Sequence, residues 1–209
     1  TVDGVLVAFH DTTLDRTSDG AGAIAHLPWE VVARARIAGH EPIPRLEELL
    51  TQLPQVCVNI DVKSAGAVTP LIECIERCGA HDRVRIASFS DARRRAVLAG
   101  LTRPVRSSPG QSRTTALWLA AHLPVLGSPL VARLAHGIDA VQIPERQGRL
   151  RVLTPRLLRV LHGAGLDVHV WTVNERADME RLLDLGVDGL ITDRADVLKD
   201  VLVERGEWG

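Results

Sequence analysis

The sequence predicts an α/β fold of the TIM (β/α)₈ barrel type. Short β-branched runs alternate with amphipathic segments of helical period, the signature of repeated βα units around a parallel sheet. Helix-start residues directly follow several of those runs, as short strand-to-helix loops require. One run also carries polar residues on one face and apolar residues on the other, as a strand between a packed layer and a site does. The runs are Val5 to Phe9, Val56 to Val62, Val84 to Phe89, Pro104 to Ser107, Ala140 to Ile143, Val168 to Val173 and Gly189 to Thr192, seven where a closed barrel has eight.

The punctuation between the runs is readable in order. Thr69-Pro70 is expected to open a helix as N-cap and first helical residue, with Gly79 just past its end. Ser90 is expected to cap a helix ending at Gly100. Thr154-Pro155 repeats the earlier device, with Gly163 and Gly165 as stops. Asn174 is expected to cap Glu175 to Leu185, which Gly186 ends. No linker or low-complexity tract divides the chain, so residues 1–209 read as one domain.

Composition narrows the function classes. The 209 residues are 45% apolar, enough for a substantial core. Lys plus Arg (25) nearly balances Asp plus Glu (26), which argues against a nucleic-acid or membrane-surface footprint and points to a small-molecule partner. No apolar run approaches the roughly 20 residues of a membrane span. The three cysteines have no metal-site spacing, although Cys74 and Cys78 are one helical turn apart, and buried or half-buried thiols are expected. A reducing, cytoplasmic setting follows as the expectation, while oligomeric state stays open.

The chemistry is concentrated in Cys57-Val58-Asn59-Ile60-Asp61-Val62-Lys63. Alternation puts Asn59, Asp61 and Lys63 on one face and Val58, Ile60 and Val62 on the other. Helices cover the outer face of such a barrel, so the polar face points inward, with Asp61 and Lys63 at the carboxyl end of the strand, where these barrels carry their sites. A hard oxygen ligand beside a fixed ammonium suits a phosphate bridged by a divalent metal, Ca²⁺ or Mg²⁺. His10 follows the first run, again at an expected strand end, and an imidazole there suits proton transfer near neutral pH. Among the other seven histidines only His169 shares strand parity with a candidate, Trp171. Ser88 and Gln142 have inward parity near strand ends.

Five ordered motifs then carry a resemblance. Phe9-His10-Asp11-Thr12-Thr13-Leu14-Asp15-Arg16-Thr17, Ile43-Pro44-Arg45-Leu46-Glu47-Glu48, Asn59-Ile60-Asp61-Val62-Lys63, Val170-Trp171-Thr172-Val173-Asn174 and Ile191-Thr192-Asp193 resemble those of the glycerophosphodiester phosphodiesterase family. The resemblance implies a TIM barrel that uses a divalent metal and a pair of histidines to cleave glycerophosphodiesters to sn-glycerol 3-phosphate and an alcohol. It implies His10 as general acid, Asp61 as metal ligand in place of the commoner Glu, Lys63 as phosphate partner and Trp171 as an apolar wall. Glu47, as a substrate-binding residue, and Asp15 and Arg16 match the family too, although Asp15-Arg16 could simply order the loop after His10 and Glu47 could cap a helix.

The same resemblance implies an upstream His-Arg strand and a Glu-x-Asp strand, neither of which is present. The expectation is therefore a chain lacking the first βα unit and part of the second, roughly 40 to 60 residues, and inactive as it stands. Two other readings accompany the hydrolase: a degenerate barrel acting as a binding module, and a lipid phosphodiesterase of the sphingomyelinase D or phosphatidylinositol phospholipase C type.

Overall fold

Six of the seven runs form strands in the computed structural model, which describes residues 1–124 and 127–208. The chain groups into two compact units, Thr1–Arg106 and Ser107–Gly209. Among the described residues no helix is long and apolar enough to cross a membrane.

In the first unit the central strand is Val58–Asp61, paired in parallel with Val84–Ala87 from Val58↔Val84 to Asp61↔Ala87. Its apolar parity does what the sequence predicts. Val58 and Ile60 pack onto a core of Leu46, Leu50, Val62, Leu71, Ile75, Ile86 and Val97. Most of that core comes from the helices Leu46–Gln52, Val68–Cys78 and Asp91–Gly100. Ser90 caps the last of these by accepting a bond from the Arg93 amide. Gly79 ends Val68–Cys78 at φ +56°, a left-handed conformation that costs a residue with a Cβ roughly 1 kcal/mol or more.

Thr69 is not the cap of that helix. A 3₁₀ turn, Ala65–Ala67, leads straight into Val68, so Thr69 and Pro70 fall inside the first turn. Proline is tolerated there because amides of the first turn have no intrahelical acceptor.

The first run is the clearest departure. Val5 to Phe9 forms no strand but a single antiparallel bridge, Val7↔Arg45, with Ala8 N donating to Pro44 O and Leu46 N to Leu6 O. The facing segment is Pro42-Ile43-Pro44, and prolines have no N–H to extend a ladder. The hairpin Arg36–Ile37 with Glu41–Pro42 was not expected from the sequence either. A small core of Leu14, Ile24, Val32, Ala35 and Ile43 anchors this loop-rich region.

In the second unit Asp167–Trp171 is the middle strand of a parallel sheet, between Ala140–Pro144 and Gly189–Leu190. Around it run the helices Gln111–Ala121, Gly127–Leu134, Pro155–Gly163, Arg176–Leu185 and Ala195–Glu204. Thr154 caps its helix by accepting from Leu157 N, with Pro155 next in line. Asn174 does not cap. The helix starts one residue later, behind Glu175, and the Asn174 side chain is engaged elsewhere.

The cysteines are free thiols: Cys74 buried, Cys78 half-buried, and Cys57 exposed rather than buried. Burial, reinforced by the neighbouring Cys78, pushes the Cys74 thiol up to about 12.

Candidate active site

The carboxyl end of Val58–Asp61 brings together two of the expected residues. Lys63 Nζ lies 2.7 Å from Asp61 Oδ2, with both side chains about two-thirds covered, at 33% and 28% exposure. Their shared side follows from period-two alternation, since Val62 between them is buried against the helices. Asp61 Oδ2 is the oxygen that faces the ammonium. The ammonium also lies 6.0 Å from the ring centroid of the exposed Phe89, at the end of the neighbouring strand.

His10 is placed by a different device. It is largely exposed and follows a bridged segment rather than a strand. Its Nδ1 lies 2.7 Å from Asp11 Oδ1, and Arg16 grips both oxygens of that carboxylate, at 2.5 Å through Nε and 2.9 Å through Nη2. The bidentate Arg16 contact, and then the His10 bond, hold the Asp11 carboxyl far below the usual carboxylate range. An ionised carboxylate only accepts, so Nδ1 carries the proton and Nε2 is the nitrogen left to hold or give one. The sequence did not single out Asp11, and assigned loop ordering to Asp15 and Arg16 together. Asp15 serves separately, accepting from the Gly22 amide.

The remaining candidates fall elsewhere. Glu47, in the first turn of its helix, is held by Arg77 of the following helix at 3.0 Å. Trp171 ends its strand in the second unit, half-buried, with a cis peptide to Thr172. Ser88 is buried and donates to Val62 O at 2.8 Å. Gln142 and His169 are register partners across two strands.

The last two motifs interlock. Asn174 Oδ1 accepts from Thr192 Oγ1 at 3.0 Å and Asp193 N at 2.9 Å, while its Nδ2 donates to Asp193 Oδ2. Asn174 thus joins two strand ends, which explains why it is not free to cap.

A divalent cation needs several oxygen ligands. Among the described residues no cluster of three or more His, Cys, Asp or Glu side chains could hold one. Asp61 alone does not supply the six to eight oxygens of a Ca²⁺ site. Asp61 is the carboxylate these residues could offer a divalent cation, whose other ligands would be water and substrate oxygens.

Known proteins resemble the chain along most of its length. The glycerophosphoryl diester phosphodiesterase family model matches residues 1–197. The chain is 49% identical over 209 residues to "Probable glycerophosphodiester phosphodiesterase 2" of Mycobacterium tuberculosis H37Rv, covering all of this chain and 78% of that protein. A candidate glycerophosphoryl diester phosphodiesterase of Silicibacter pomeroyi DSS-3 has the same fold with a TM-score of 0.80, at 20% identity over 100% of this chain and 82% of that one. An Oleispira antarctica phosphodiesterase, solved with its product sn-glycerol-3-phosphate, matches with a TM-score of 0.76, at 18% identity over 97% of this chain and 81% of that one. The fold class is thus the α/β TIM barrel of these structures, and the chain belongs to the glycerophosphoryl diester phosphodiesterase family, a family of phosphoric diester hydrolases.

Proposed function

We propose that the chain hydrolyses glycerophosphodiesters to sn-glycerol 3-phosphate and an alcohol, with His10 as general acid and the Asp61–Lys63 pair at the phosphoryl group. The observation that carries this is the 2.7 Å ion pair at the carboxyl end of a parallel strand, within the stretch that the family model matches. The product found in the Oleispira structure supports the choice of glycerol 3-phosphate.

Each residue has a physical task. Lys63 sets a fixed positive charge against a phosphoryl oxygen, and the charge is worth most where substrate excludes water. Asp61 holds the ammonium through Oδ2 and offers Oδ1 to a divalent cation. Such a cation, when bound, adds Lewis-acid neutralisation of the phosphoryl charge. His10 gives the proton on Nε2 to the departing alkoxide oxygen as its bond to phosphorus breaks. Asp11 keeps Nδ1 protonated and the ring oriented throughout. The attacking oxygen is that of water or a glycerol hydroxyl; its bond to phosphorus forms as the alkoxide's breaks, and the proton it sheds passes to solvent. Trp171 is proposed as an apolar surface for glycerol carbons. Substrate binding through Glu47 would require exchange of its Arg77 partner.

Steady-state kinetics with metal titration on the full-length protein separates these tasks. His10→Ala should lower kcat by about 10² to 10⁴ and leave metal activation unmoved. Asp61→Ala should raise the metal concentration needed for half-activation, with added Mg²⁺ partly restoring the rate. Superimposable metal titrations for the two variants would overturn the assignment.

A further inference from the structure

The strand ladder that positions Asp61 runs out before it reaches Lys63. Register ends at Asp61↔Ala87, with one further backbone bond from Val62 N to Ala87 O at 2.8 Å. Beyond it the path of the chain is fixed from the other side of the peptide. The Val62 carbonyl, which belongs to the peptide bond leading into Lys63, accepts two side-chain donors: Ser88 Oγ at 2.8 Å and Arg93 Nε at 3.1 Å. Arg93 Nε also lies 3.2 Å from Ser88 Oγ, closing a three-membered cluster.

Arg93 is itself pinned. It stands in the first turn of Asp91–Gly100, where its amide donates to the Ser90 cap, and Ser90 N donates to Ser88 Oγ. A capped helix, a buried hydroxyl and a half-buried guanidinium therefore converge on one carbonyl, and that carbonyl lies between the two members of the Asp61–Lys63 pair. Rotation of the Val62–Lys63 peptide would swing the lysine stem, while the Asp61 side chain, on the ladder, would stay in place.

We propose that Arg93 is a positioning residue for the Asp61–Lys63 pair: by holding the Val62 carbonyl it fixes the peptide that aims Lys63 at the phosphoryl group. This rests on the reading of Asp61–Lys63 as the phosphate-binding pair. A displacement of about 1 Å at a reacting centre costs on the order of 10²-fold, so the clamp matters to turnover even though Arg93 touches no substrate.

The test is a double-mutant cycle in kcat/KM for a glycerophosphodiester, using Arg93→Met, Lys63→Met and the pair, with a thermal melt of each variant. Arg93→Met should lower kcat/KM about 10- to 100-fold. In the Lys63→Met background the same change should cost less than about threefold, because the group it aims is gone. A clamp that only stabilises the fold would instead lower the melting temperature equally in both backgrounds and leave kcat/KM of the folded enzyme unchanged. Wild-type kcat/KM in Arg93→Met, or multiplicative losses in the pair, would overturn the proposal. Full activity in Lys63→Met would remove the phosphate-binding reading beneath it. If Arg93→Met does not melt cooperatively, Arg93→Lys, which keeps the charge and loses the Nε donor, is judged by the same criterion.

Discussion

At the scale of single residues, charge placement explains most of what the candidate site can do. Asp61 and Lys63 were legible in the sequence because strand parity leaves a carboxylate and an ammonium no other common face, and the structure joins them at 2.7 Å. His10 was legible as a residue type at a suggestive position, but what orients it was not. Arg16 reaches back five residues to Asp11, and only the folded loop shows that the carboxylate serves the imidazole. The arrangement has a pH consequence. Asp11 titrates below its ordinary value near 3.8, because of Arg16 first and His10 second. The stabilisation this gives the loop is therefore complete above that value and is lost only as pH falls through the lower, folded one. In Arg16→Met the carboxyl resonance of Asp11, followed by carbon NMR, should titrate at higher pH than in the wild type. An unchanged midpoint would show that Arg16 is not the group holding it down.

At the scale of elements, the sequence is most readable where a cap or a left-handed glycine enforces an end. Ser90, Thr154, Gly79 and Gly186 all act as their residue types require. Asn174 and Thr69 fail as caps for local reasons that no propensity contains. One side chain is bonded to a neighbouring strand end, and the other is overtaken by a 3₁₀ turn. Val5 to Phe9 misleads in the same manner, because its β-branched composition is genuine but its partner segment is too rich in proline to pair. The cap at Thr154 and the joint at Asn174 can be ranked. Thr154→Ala removes one cap bond and should cost about 1 kcal/mol. Asn174→Ala removes three bonds at roughly 0.5 to 1.5 kcal/mol each and should cost about 2 kcal/mol or more. Denaturant unfolding monitored by circular dichroism gives both values, and a larger loss for Thr154→Ala would contradict the joint between the Trp171 and Asp193 motifs.

At the scale of the whole molecule, alternation of βα units was enough to reach the barrel class, because parallel strands need helical crossovers and few architectures satisfy that repeatedly. The family came from five motifs in order, and the chain matches its model over residues 1–197. The metal shell was the least legible part. It depends on how many carboxylates converge, and among the described residues Asp61 is the carboxylate set beside Lys63, which we propose binds the phosphoryl group. The central claim is that this site cleaves on the alcohol side of the phosphate and leaves the phosphoryl group on glycerol. Phosphorus NMR of a glycerophosphocholine hydrolysis catalysed by the full-length protein with added Mg²⁺ tests it most directly. The account predicts a growing sn-glycerol 3-phosphate resonance, and its loss in His10→Ala; a phosphocholine resonance in its place, or undiminished turnover in His10→Ala, would contradict it.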